Sequence, residues 1–243
     1  MEANKVKELV KNRYSELAKG TSCCSCKSCG SISESIGYSK EELNSLSQAD
    51  MGLGCGNPTA LGKIKEGDIV VDLGSGAGLD CFLAAKKVGK YGKVIGIDMT
   101  ENMIEKARKN SIEYGFDNVE FRLGEIENIP LKDSSANVII SNCVINLSPN
   151  KDKVFSEAYR ILKNNGKLFV SNIVLLEELS EEQINDENLL TGCVAGALLK
   201  DKYIQKIKNA GFDVKIIKEN KSISKEQYNG IALESLGIEA TKV

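Results

Sequence analysis

From about residue 67 onward the chain alternates short apolar runs with longer amphipathic ones, and that alternation admits few folds. DIVVDLG reads as a buried strand and LDCFLAAKKVG as the helix after it. KVIGID is a second strand, followed by a helix, ENMIEKARKNSIEYG, that Gly115 ends. NVEFRLG, ANVIISN and KLFVSNIV are three further strands, and KDKVFSEAYRILKNNG is the helix before the last of them. Strands this apolar, separated by helices, are covered on both faces, so the expected fold is α/β with a mostly parallel sheet. The stretch 177–200 interrupts the rhythm as an insertion. DKYIQKIKNAGF then resumes as a helix, DVKIIK as a strand, and IALESLGIEATKV as a closing strand region.

Ahead of this core, Val6, Leu9, Val10, Tyr14 and Leu17 share one face of a helix over 3–19. TSCCSCKSCGS reads as a loop, Ser39 and Glu42 as a capping box opening SKEELNSL, and MGLGCGNP as a glycine-rich passage. A length of 243 residues suits one large domain with an added subdomain. The net charge of −2 offers no basic surface to nucleic acid or an anionic membrane. No apolar run approaches the roughly 20 residues of a membrane span. The N-terminus lacks the apolar core of a signal peptide, so a cytoplasmic protein is expected. Nothing demands more than a monomer.

Two counts narrow the chemistry. Eight cysteines in a reducing compartment stay thiols, which favours metal, metalloid or redox roles over a disulfide scaffold. Histidine is absent, which removes the commonest general base and every Cys-His or Ser-His nucleophile pair.

The first strand runs into Asp72-Leu73-Gly74-Ser75-Gly76-Ala77-Gly78 and then a helix. Glycines there permit a tight turn and close approach of a ligand to the backbone and the helix N-terminus. The spacing is G-x-G-x-G, unlike the G-x-G-x-x-G of dinucleotide sites, and an acid precedes it. That carboxylate repels a pyrophosphate and suits a ligand with a cationic amine. Asp98 ends the second strand, where an acid takes ribose hydroxyls.

These residues resemble motif I and the second-strand acid of the class I S-adenosylmethionine-dependent methyltransferases, whose fold is Rossmann-like. The resemblance implies that Asp72, Gly74, Ser75, Gly76 and Gly78 cradle the methionine part and that Asp98 binds the ribose. It also implies that Met99 flanks the adenine and that Glu125 and Ile126, in LGEIENIP, lie near the base. Four further phrases, GCGNP at 54–58, GIDMT at 96–100, SNCVINLSPNK at 141–151 and GCVAGAL at 192–198, closely resemble the arsenite S-adenosylmethionine methyltransferases. The match runs from the N-terminal cysteines to about residue 213. It implies residues 1–60 as a helical, cysteine-rich segment and 61–175 as the S-adenosylmethionine-binding core. Residues 176–243 then hold the acceptor-binding insertion and the end of the core. Some members carry a further C-terminal domain, and this chain is expected to stop near the end of the methyltransferase core.

Chemistry agrees with the resemblance. Ligands of open α/β sheets lie beyond the carboxyl ends of the strands. Asn142 and Cys143 sit there, Cys55 precedes the first strand, and Cys193 lies in the insertion. Trivalent arsenic is thiophilic, and thiolates suit a soft acceptor. Arsenic held by thiolates keeps a lone pair for the sulfonium methyl, so no general base is needed. Methylation oxidises arsenic, and cysteines passing to a disulfide, reduced in turn by glutathione or thioredoxin, return the electrons. Arsenite or its thiol conjugate is the expected substrate.

The expected arsenic ligands are Cys143 and Cys193; Cys55 is either a third ligand or part of the redox pair. Cys23 or Cys24 matches a redox-active family cysteine. Cys26 and Cys29 add a C-x-x-C pair, open between a zinc half-site, an arsenic tether and a thiol-rich loop. Cys81 reads as core packing, and Tyr14 as core packing or a cover over the cofactor. Asn142 and Asn146 shape the acceptor loop or serve as ordinary turn residues, and Asn142 is also placed with the cofactor. Two other functions compete: methylation of carbon or oxygen in a small metabolite, and a thiol-rich metal-binding or sensor protein.

Overall fold

The computed structural model describes residues 1–20, 29–223, 228 and 230–243. Four helices precede the sheet: α1 (Ala3–Lys19), α2 (Cys29–Ile36), α3 (Lys40–Ser45) and α4 (Pro58–Leu61). The alternating segment supplies β1 (Ile69–Leu73), α5 (Leu79–Val88), β2 (Lys93–Asp98), α6 (Glu101–Tyr114), β3 (Val119–Leu123) and β4 (Ala136–Asn142). A 3₁₀ turn, Val144–Leu147, leads to α7 (Lys151–Ile161) and the long β5 (Leu162–Leu175). Then come α8 (Glu181–Asn185), α9 (Glu187–Thr191), α10 (Lys200–Asn209), β6 (Phe212–Asn220) and β7 (Leu233–Lys242).

All seven strands join one sheet in the order β3-β2-β1-β4-β5-β7-β6. β1 to β5 pair in parallel, and β7 enters antiparallel between β5 and β6. The apolar strands bury both faces, as their composition requires. One face packs Leu73, Ile97 and Ile139 with Phe155, Tyr203 and Ile207. The other packs Val70, Val94 and Ile140 with Phe82, Phe121 and Phe169. The mostly parallel α/β expectation holds, and the closing region is strand β7.

Two segments differ from the sequence reading. The helix expected through Gly166 ends at Ile161, because Leu162 already pairs with Ala136. The next partners are Val138 and Lys167, so residues 163–166 bulge out of the ladder, with Asn165 at φ 63°. The loop read in TSCCSCKSCGS gives way to helix α2 from Cys29. The capping box of α3 forms as read, with Ser39 Oγ accepting from Glu42 N at 3.2 Å and Glu42 Oε2 accepting from Ser39 N at 2.8 Å.

The strand order reverses between β1 and β4, and the glycine loop leaves β1 at that point. Such a reversal opens a crevice at the carboxyl ends of the strands. Gly96, opposite Asp72 in β2, lets the loop settle: a Cβ there would lie 2.6 Å from the Phe121 ring and 2.8 Å from Ser75 Cβ. Gly96→Ala is expected to cost roughly 1–3 kcal/mol by overpacking, read as a lower midpoint in urea unfolding. An unchanged midpoint would mean that the loop and Phe121 yield freely.

Candidate functional site

The cleft at the reversal opens to solvent, and the cleft with the solvent at its mouth spans about 1110 Å³ of atom-free space. Its floor is the glycine loop, with Gly74 at φ 71° and Gly76 at φ 51°. A side chain at Gly74 would strike Val144 at 2.5 Å, so glycine is required where the 3₁₀ turn crosses the loop. Asp98 ties the loop to the start of α6: Oδ2 accepts from Gly76 N at 3.0 Å and Oδ1 from Thr100 N at 2.9 Å. Burial raises the Asp98 carboxyl, and those two backbone N–H groups oppose the shift.

Asp72, Ser75, Met99, Ile126 and Asn142 also line the cleft. Gly78 does not; at φ 99° it leaves room for the Phe82 ring, which a Cβ would meet at 2.8 Å. Glu125 is half-exposed on the rim, paired with Lys7 of α1 at 2.6 Å. Glu127 lines the cleft instead, accepting from Ser148 Oγ at 2.9 Å. The sequence reading missed Glu127, Tyr38 and Asp80. Asp80 had a signal, an acid two residues after Gly78, whereas Tyr38 reaches the site only by tertiary packing.

The donor set fits an adenosine ligand with a cationic tail. Ser75 Oγ is buried on the cleft wall without a hydrogen-bond partner among the described residues. Asp72 and Asp80 are buried carboxylates whose hydrogen-bond partners are uncharged. Cys81 Sγ donates to Asp72 Oδ2 at 3.2 Å, and Tyr38 Oη donates to Asp80 Oδ1 at 2.8 Å. Burial pushes Asp72 well above the usual carboxylate range and Asp80 up to about 6. Cys81, read as core packing, is fully buried and also partners Asp72.

Beside the cleft lies an apolar cluster holding Cys55, Cys143 and Cys193. Cys143 follows β4 at φ 64°, Cys193 follows α9 at φ 66°, and such left-handed backbone is uncommon for a residue with a Cβ. Cys55 and Cys143 form a disulfide, with their Cα atoms 5.9 Å apart. Cys193 is a buried free thiol. The two ligands expected from the sequence are thus one half of a disulfide and one thiol in this state, and Cys55 is the other half of that disulfide. Among the described residues no cluster of three or more Cys, Asp or Glu is arranged to hold a metal ion.

Glycines admit the Cys55 turn. A Cβ at Gly54 would lie 2.7 Å from Asn142 Nδ2, and one at Gly56 2.7 Å from Ser171 Cβ. Burial pushes the Cys193 thiol up to about 12, opposed by the Tyr14 hydroxyl and the Lys151 charge. Burial likewise lowers Lys151 to about 8. Tyr14 lines the cleft from α1, and its hydroxyl donates to Thr191 O at 3.4 Å, so it covers the site as well as packing. Cys23, Cys24 and Cys26 lie outside the described residues.

A carboxyl raised on folding favours the folded state while protonated. The Asp80 contribution is complete below about pH 4 and is lost as pH rises through about 6. Relative to Asp80→Asn, the ligand-free protein is expected to lose stability over that window, on the order of 3 kcal/mol. Urea titrations of both proteins from pH 4 to 7 check this; parallel curves would place Asp80 in water.

Residues 64–211 match the family model described as a methyltransferase domain. The chain is 44% identical to an arsenite methyltransferase of Halobacterium salinarum over 85% of this chain and 57% of that protein. It is 36% identical to one of Aquipseudomonas alcaligenes over 89% of this chain and 65% of that one. The crystal structure of an arsenic(III) S-adenosylmethionine methyltransferase from Chlamydomonas reinhardtii superposes with a TM-score of 0.69 at 32% identity, covering 87% of this chain and 74% of that chain. The chain spans 57% and 65% of the length of the two relatives compared by sequence.

Proposed function

Because the chain belongs to the methyltransferase-domain family, alongside the arsenic(III) S-adenosylmethionine methyltransferases, we propose that it methylates trivalent arsenic held by cysteine thiolates. The observation that carries this reading is the gathering of Cys55, Cys143 and Cys193, from three distant segments, in one apolar cluster whose Cys143 also lines the cleft. The role is arsenic detoxification in a reducing cytoplasm, by a monomer. No described helix is long and apolar enough to cross a membrane. Residues 61–175 carry the cofactor, 1–60 the covering helix and cysteine turns, and 176–243 the acceptor segment and last strands.

S-adenosylmethionine, when bound, supplies an electrophilic sulfonium methyl. Asp98 would take the ribose hydroxyls, Met99 and Ile126 would flank the base, and the buried Asp72 and Asp80 would face the cationic tail. Ser75 Oγ would gain a hydrogen-bond partner. Arsenite, or its thiol conjugate, exchanges hydroxide or thiol ligands for Cys143 and Cys193, each thiol proton leaving with the displaced group. The apolar walls exclude water, and the residues that hold arsenic act by position rather than by base catalysis. That accounts for a site without histidine.

Methyl transfer raises the formal oxidation state of arsenic by two. Attack of the Cys55 thiolate on the Cys143 sulfur breaks the Cys143–arsenic bond, leaves its electron pair on arsenic, and forms the disulfide. Glutathione or thioredoxin then reduces Cys55–Cys143 by thiol exchange.

Incubation with arsenite, S-adenosylmethionine and glutathione is expected to yield methylated arsenic on chromatographic speciation. Cys143→Ser and Cys193→Ser are each expected to lower the rate ~100-fold or more with cofactor affinity retained. Absence of methylated product from protein that binds the cofactor would move the reading to an organic acceptor.

A further inference from the structure

Cys143 is flanked by two asparagines, and each holds a different distant cysteine. Asn142 brackets Cys55: its Oδ1 accepts from Cys55 N at 3.1 Å and its Nδ2 donates to Gly56 O at 2.7 Å. The same amide lies 3.0 Å from Tyr38 Oη on the cleft wall. Asn146 is buried, and its Nδ2 donates to Cys193 O at 2.9 Å and to Ile173 O at 2.8 Å. Its Oδ1 accepts from Asn172 Nδ2 at 2.9 Å, and Asn172 also donates to Tyr203 Oη at 2.9 Å. The acceptor segment presses on this turn so closely that a Cβ at Gly196 would lie 2.1 Å from Asn146 O.

Every polar atom of the Asn146 side chain is used, and its three bonds join two separate segments, β5 through Asn172 and Ile173 and the loop of Cys193. Cys193 keeps a left-handed backbone, and the anchored carbonyl opposes its relaxation to an ordinary conformation. Removing the amide leaves two buried carbonyls unpaired. Among the described hydrogen bonds Asn142 touches nothing in the Cys193 loop, and Asn146 nothing in the Cys55 turn.

We propose that Asn142 and Asn146 are positioning residues with divided duties: Asn142 sets Cys55 for its redox pairing with Cys143, and Asn146 stations Cys193 for arsenic. The Asn146 half rests on the arsenic reading; the Asn142 half rests only on the disulfide.

Two measurements on the full chain separate these duties. Calorimetry reads arsenite binding by the reduced protein. Mass spectrometry of alkylated protein, equilibrated in glutathione buffers, reads the exchange of Cys55 and Cys143 thiols plus oxidised glutathione for the protein disulfide plus two reduced glutathiones. Asn146→Ala is expected to weaken arsenite binding about 10-fold and leave the glutathione equilibrium in place. Asn142→Ala is expected to shift that equilibrium about 10-fold toward the dithiol, with the smaller effect on arsenite. Circular dichroism controls for folding. Should Asn146→Ala not fold, Asn172→Ala cuts the bond orienting Asn146, and the same change in arsenite binding, smaller in size, is expected. Both variants shifting both readouts alike, or neither readout moving, would overturn the proposal. Failure of the wild type to bind arsenite sinks the arsenic reading and the Asn146 half with it, while the Asn142 half is still decided by glutathione alone.

Discussion

The site depends on the parallel pairing of β1 with β4. That register sets Asp72 beside Ile140 and Leu73 beside Ser141, so the two strands release their chains side by side. One chain becomes the glycine loop and the other becomes Asn142-Cys143 and the 3₁₀ turn. Val144 then rests where a side chain at Gly74 would be. The cleft and the buried cysteine cluster share Cys143 because two neighbouring strands end at the same height.

Burial gives both compartments their electrostatic character. Among the described residues Asp72 and Asp80 hydrogen-bond to uncharged groups, a setting that a cationic ligand would suit. In the cysteine cluster, burial holds the Cys193 thiol in its protonated form, with the half-buried Lys151 ammonium and the Tyr14 hydroxyl opposing that shift. A soft, neutral acceptor suits such a place better than a hard ion, which could not leave water for it. Helix α1 closes the rim through Lys7 to Glu125 and Lys11 to Glu101, surface pairs that guide its seat more than they stabilise it.

Much of this was legible in the amino-acid order. Strand composition announced a sheet buried on both sides, and the spacing Asp72, Gly74, Gly76, Gly78, Asp98 announced the cleft, because short-range backbone geometry demands those residues in that order. The motif around Cys143 was equally plain. In the adenine-side segment Ile126 lines the cleft as read, while Glu125 pairs with Lys7 on the rim and Glu127 lines the cleft, since side-chain direction in an irregular turn has no period to read. Tyr38 carried no local sign at all.

Sequence by itself therefore determined the element order, the glycine loop and the presence of three cysteines in distinctive settings, all matters of local pattern. Tertiary structure alone decided which cysteines meet. Cys55 and Cys143 are separated by 88 residues and joined, and Cys193 enters the same apolar cluster on a separate loop bonded to Asn146. The physical reason is that thiol pairing is set by distances of a few ångströms across strands and turns. Those distances follow from sheet register and from glycines that let backbones approach, and neither is written in the spacing of the cysteines.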